Sequence, residues 1–113
     1  MDIVYHFQRI INAEYAGFKE TIIRNFTKEG IFQKAYEINF YQSMKDYFNN
    51  FDSINDEKRV KELQKYNLDS ISNVYEIYLK RENASITNKE TIDEFLDLEI
   101  ERRKGREEQV RWY

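Results

Sequence analysis

Histidine occurs once in this sequence, at position 6, and cysteine does not occur. A Ser–His or Cys–His nucleophilic arrangement would therefore have to use His6. That residue stands near the chain start, at the edge of an apolar stripe, and reads as a surface or helix-end histidine. Zinc wants four ligands, commonly cysteine and histidine, which this composition does not furnish. Gly17, Gly30 and Gly105 are isolated, so no glycine-rich loop exists to cradle a phosphate. The stretch from Asn50 to Glu57 is rich in oxygen ligands but lacks the glycine turn of a calcium loop.

Three carboxylates carry the remaining catalytic possibility. Glu14 falls between Ile10 and Phe18 on the apolar side of a helical pattern, where a raised pKa would mark an active site. The structural expectation is a glutamate accepting hydrogen bonds from a tyrosine or a basic neighbour. Glu37 and Glu82 read the same way. Acid–base work needs a cleft as well as a carboxylate pair. No catalytic residue, metal or cofactor is expected.

Two surfaces are better candidates. Glu90, Glu94, Asp97 and Glu101 recur at four, three and four residues, with Asp93 beside them, and from 90 to 101 there are six acids and no base. On a helix this is one negative stripe, suited to a basic groove on a partner; the alternative is an ordinary solvated face. The second surface is the aromatic side of a long helix, Phe40, Tyr41, Met44 and Phe48 with Phe51, of the residue types that contact surfaces favour. The alternative there is burial beneath the later helices. The terminal Trp112–Tyr113 pair is a third, weaker candidate.

These groups need helices to position them. Without proline, little interrupts helical runs. Asp2 is placed to cap a first helix reaching Asn25, with Ile3, Phe7, Ile10, Ile11, Phe18 and Ile22 on one face. Ala13, Ala16 and Gly17 lie off that face, where small residues would let another helix approach. Thr27 caps a second helix to about Phe48, with Ile31, Phe32, Ala35 and Ile38 on one side and the aromatic group on the other. A short helix over 56–66 turns Val60 and Leu63 inward. Asp69 or Ser70 caps a fourth, with Ile71, Val74, Tyr75 and Tyr78 inside. Thr87 and Glu90 have capping-box spacing for a fifth, with Ile92, Phe95, Leu96 and Ile100 inward and Gly105 at its end. The expectation is an all-α fold, a compact bundle of about five helices, two long N-terminal ones packed with three shorter C-terminal ones. Residues 1–104 form one domain and 105–113 a charged tail.

Composition agrees. A chain of 113 residues, 41% hydrophobic and 35% charged, supports one globular core. Twelve of eighteen aromatics lie in residues 1–51, which should nucleate it. Net charge is −3, and the acidic excess sits entirely in residues 52–113. Nucleic-acid binders show the opposite bias, so direct nucleic-acid binding by Arg102, Arg103, Lys104 and Arg106 is disfavoured. There is no signal-peptide pattern and no apolar run near the roughly 20 residues a membrane helix needs. No membrane association and a cytoplasmic location are expected.

The stretch from Glu14 to Met44, through Tyr15, Phe18, Thr27, Glu29, Ile31 and Ala35-Tyr36-Glu37, resembles the bacterial family catalogued as domain of unknown function 3848. The segment from Leu68 to Arg103 is similar to that family's ending, through Ile71, Val74-Tyr75, Leu79, Arg81-Glu82, Ile92 and Glu101-Arg102. The family's usual proline at the start of the second helix is absent. The resemblance implies small helical proteins of phage and mobile elements, without an established activity.

Taken together, these features lead to the expectation of a non-enzymatic protein-binding protein of phage or mobile-element origin. An inhibitor of a host defence nuclease, anti-CRISPR-like, would use the acidic helix face against a nucleic-acid-binding effector. The alternative is a structural or regulatory module that homodimerises through the helix-two aromatics.

Overall fold

The computed structural model describes residues 2–81 and 88–111, except for the side chains of Gln33 and 107–111. Among the described residues it is all-α: α1 (Ile3–Asn25), α2 (Lys28–Gln33), α3 (Ala35–Asn49), α4 (Glu57–Lys65), α5 (Ile71–Lys80) and α6 (Lys89–Arg111). Three starts follow from local capping. Asp2 accepts from the backbone N–H groups of Val4 and Tyr5, Thr27 from Gly30 and Ser70 from Asn73, each satisfying a donor that the helix leaves orphaned.

The expected second helix is divided. Lys34 leaves helical geometry (φ −90°, ψ 4°), and its N–H is shared between the carbonyls of Gly30 and Ile31. Just before the break, the Phe26 ring lies so close to Gly30 that a Cβ there would stand 3.1 Å from it. The division also resolves an apolar pattern that ran all round one helix. α3 turns Phe40, Tyr41, Met44, Tyr47 and Phe48 into the core, whereas α2 leaves Phe32 exposed.

α1 and α3 form the most extensive helix pair, and α4, α5 and α6 close around them. Phe7, Ile11, Met44, Phe48, Leu63, Leu68, Ile71, Val74 and Leu96 are fully buried. Aromatic rings tie the elements together. Phe18 stacks on Tyr41 at 3.8 Å between centroids, Phe7 meets Phe48 edge-on at 5.0 Å, and Phe40 lies 4.9 Å from Tyr75 and 5.1 Å from Tyr78. Each such ring contributes about 2–3 kcal/mol of transfer free energy.

α1 also supplies polar clamps. The Gln8 amide donates to the carbonyls of Phe48 (3.0 Å) and Phe51 (3.0 Å), where α3 runs out of N–H partners. Glu14 accepts from the N–H groups of Ile71 (2.7 Å) and Ser72 (3.0 Å), the first turn of α5. This glutamate is structural, as expected, but its donors are a helix N-terminus rather than a tyrosine or a basic side chain.

Other expectations change. Ala13, Ala16 and Gly17 face solvent, and a Cβ on Gly17 would meet nothing within 4 Å, so among the described residues no helix approaches there. Ile10 is exposed. α6 passes through Gly105 to Arg111 and, at 23 residues, matches α1 in length rather than being short. Thr87 and Glu82 lie outside the described residues, as do Trp112 and Tyr113; Asn88 and Thr91 exchange the hydrogen bonds that start α6. No helix is long and apolar enough to cross a membrane, among the described residues.

Candidate protein-binding surface

α6 sorts its residues by period. Ile92, Phe95, Leu96 and Ile100 point into the core, and the acids spread around the rest of the circumference. The expected stripe of Glu90, Asp93, Glu94, Asp97 and Glu101 divides into two groups. Asp93 is half-buried toward α3 and α4, whereas Asp97 stays exposed and is engaged at the edge of α4. Tyr47 donates a short hydrogen bond to Asp93, and Arg59 bonds Asp97 at 2.6 Å while reaching the Asp93 carbonyl at 3.4 Å. Glu90, Glu94 and Glu101 face solvent. Among the described residues Glu90 and Glu94 have no ion-pair partner, and Glu101 has Lys104 at 4.0 Å. Leu98, one turn from both Glu94 and Glu101, is 53% exposed.

The Tyr47–Asp93–Arg59–Asp97 chain borders a polar cleft of about 280 Å³, also lined by Asn50, Phe51, Asp56 and Lys89. Tyr47, Asp93, Arg59 and Asp97 are committed to one another there. Burial, together with the hydrogen bond to Asp93, pushes the Tyr47 hydroxyl well above the ordinary tyrosine range, which holds it protonated. That is the wrong direction for a nucleophile or a base. Asp56 accepts from the Asp52 N–H at 2.7 Å, and Asp52 from the Ile54 N–H at 2.7 Å, so the oxygen-rich stretch after α3 is a self-bonded turn. Among the described residues no group of three or more His, Asp or Glu could hold a metal ion.

The aromatic face of α3 requires a correction. Phe40, Tyr41, Met44 and Phe48 are buried among α1, α5 and α6, and Phe51 packs against them. They form the interior of the domain rather than a contact surface, because the later helices cover the side that looked unpartnered. Burial, with the nearby charge of Glu14 adding to it, pushes the Tyr41 hydroxyl up to about 12.

Glu99 is the site residue that the reading of charge alone passes over. It is 1% exposed, inside the apolar sector between Leu96 and Ile100. Arg81, at the end of α5, grips it with two bonds of 2.9 and 3.3 Å; Arg102 adds one at 3.3 Å, and Arg103 stands 3.9 Å away. Its spacing of three and four residues to Arg102 and Arg103 was the available signal. Burial alone would raise its pKa, but the Arg81 hydrogen bonds and the three guanidinium charges outweigh that and hold the carboxyl below the usual range. The basic run at 102–104 is likewise consumed: Arg103 donates to the Tyr66 carbonyl at 2.5 Å and Lys104 pairs with Glu62 at 3.4 Å.

The geometry therefore leaves an acidic helix face of Glu90, Glu94, Asp97 and Glu101 bordered by the exposed Leu98 and then by Arg102, with Asp97 held by Arg59 and Asp93 by Tyr47. His6 is exposed on the first turns of α1, apart from this face in sequence, and its backbone N–H donates to the Asp2 carbonyl. No protein-family description, no curated protein and no solved structure matches this sequence.

Proposed function

We propose that this chain is a non-enzymatic protein-binding protein that presents the outer face of α6 to a basic groove on its partner. The observation that carries this reading is the division of the acids. Glu90, Glu94 and Glu101 are exposed on the same side of α6 as Leu98, while Asp93, Asp97 and Glu99 are bonded to Tyr47, Arg59 and Arg81 and fix the helix that displays them. Contact surfaces combine an apolar centre with a charged rim, and a rim of one sign steers a partner of the other. The internal commitment of Tyr47, Asp93, Arg59 and Asp97 supports a binding role over a catalytic one.

The partner fitting this face is a protein with a nucleic-acid-binding surface, because a row of carboxylates at helical spacing competes with phosphates for the same cations. With the family resemblance, the reading extends to a phage or mobile-element protein that inhibits a host defence nuclease.

The test compares the wild type with a Glu90→Lys, Glu94→Lys, Glu101→Lys variant in affinity capture from host lysate, with helicity checked by circular dichroism. Asp93, Asp97 and Glu99 are left unchanged to preserve the fold. The expected result is a nucleic-acid-binding protein retained by the wild type alone. Equal retention by the folded variant removes α6 from the reading.

A further inference from the structure

The α6 face has a counterpart elsewhere on the molecule. At the corner where α1 ends and α2 begins, Ile23 is 65% and Phe32 82% exposed, with Ile31 partly exposed beside them. A hydrophobic residue left singly in solvent, such as Ile54, is ordinary; here Ile31 and Phe32 are adjacent on α2 and Ile23 lies in the last turn of α1 that leads into it. Its surroundings are basic in a chain that is acidic overall. Residues 19–34 hold Lys19, Arg24, Lys28 and Lys34 against Glu20 and Glu29. Arg24 pairs with Glu20 at 2.6 Å and Lys34 with Glu37 at 3.0 Å, which leaves Lys19 and Lys28 without an ion-pair partner among the described residues.

We propose that this corner is the docking site for the α6 face of a second copy of the chain, so that copies associate head to tail. Charge complementarity argues for this occupant: a basic corner with exposed apolar side chains and an acidic face edged by an exposed leucine occur on the same molecule. The register agrees. Lys28 lies one turn before Phe32, and Glu94 and Glu101 lie one turn to either side of Leu98. Since every α-helical turn rises about 5.4 Å, seating Phe32 against Leu98 with Lys28 on the N-terminal side brings that lysine within reach of Glu94 and keeps it away from Arg102, which borders Leu98 one turn later. The two patches are different surfaces, so the contact is heterologous and each copy retains one unused patch. The buried α3 aromatics take no part.

The test uses the full chain in sedimentation velocity from about 10 to 500 μM at low salt. The expected result is a mass that grows beyond a dimer with concentration and falls back in about 0.5 M NaCl, where exposed charges are screened. Phe32→Asp and Leu98→Asp change exposed residues, so both fold. Each alone remains at the 13.9 kDa monomer, and an equimolar mixture forms a dimer, because each variant keeps the patch that the other has lost. A wild type that stays monomeric throughout the range overturns the inference. So does association that survives either substitution, or a mixture that stays monomeric. Phe32→Asp leaves α6 untouched, so capture of a foreign partner by that variant reports on the proposed function separately.

Discussion

Replacing Glu99 by glutamine tests how α6 is anchored. The substitution keeps the shape of the side chain and removes its charge at a position that is 1% exposed. Three hydrogen bonds from Arg81 and Arg102 lose their ionic acceptor, and one glutamine oxygen is replaced by an NH₂ that faces cations. A hydrogen bond to a charged group contributes about 1.5–3 kcal/mol, and breaking a buried ion pair costs about 3–5 kcal/mol. The guanidinium partners keep 26–48% of their side-chain surface in solvent and can rehydrate, which places the loss at the lower end, about 2–3 kcal/mol. Per-residue unfolding entropies near 2.1 cal/mol/K convert this to a fall in Tm of roughly 8–12 °C for a chain of this length.

The pH dependence carries a definite sign. The folded carboxyl titrates below its unfolded value of about 4.3, so its contribution is present above that pH and disappears as the pH falls through the folded pKa. Thermal unfolding followed by circular dichroism should show the full gap at pH 7, closing below about pH 4. A gap under about 2 °C at pH 7, or one unchanged by acidification, would refute the anchoring argument.

Glu14→Ala removes both acceptors from the first turn of α5 and should cost about 1–2 kcal/mol in urea unfolding, with faster amide exchange at Ile71 and Ser72 than at the end of the helix. Gly105→Ala should stabilise by up to about 1 kcal/mol, because the helix continues through that position and a Cβ there meets nothing within 4 Å. A lower Tm for Gly105→Ala would contradict the continuous helix.

The parts of this fold written in local chemistry were legible in the sequence. Asp2, Thr27 and Ser70 announce helix starts because each donor they satisfy lies within three residues. The inward stripes of α4, α5 and α6 follow from period alone. The break at Lys34 was not legible, since the residue is a good helix former and the nearby contact of Phe26 with Gly30 is three-dimensional. Gly105 misled for a related reason: its helical penalty of about 1 kcal/mol is small beside the ion pairs that Arg102, Arg103 and Lys104 make around it. Whether Phe40 and Met44 faced solvent or core depended on how later helices pack, which no spacing within α3 encodes. The acidic stripe was visible as a row of charges. Which of its acids are held by other helices required the positions of Tyr47 and Arg59, 46 and 38 residues away.

The two clamps on α1 shape the order in which the molecule can assemble. Gln8 waits for carbonyls 40 to 43 residues downstream, and Glu14 for amides 57 and 58 residues downstream. During synthesis the first helix emerges before either client exists; Gln8 stays hydrated until the end of α3 has been made, and Glu14 until the start of α5. The 6- to 15-residue helices α2 to α5 are individually too short to persist in water. Closure is therefore a late event that engages most of the chain at once, slower than the local zipping of a simple helical hairpin and correspondingly more cooperative.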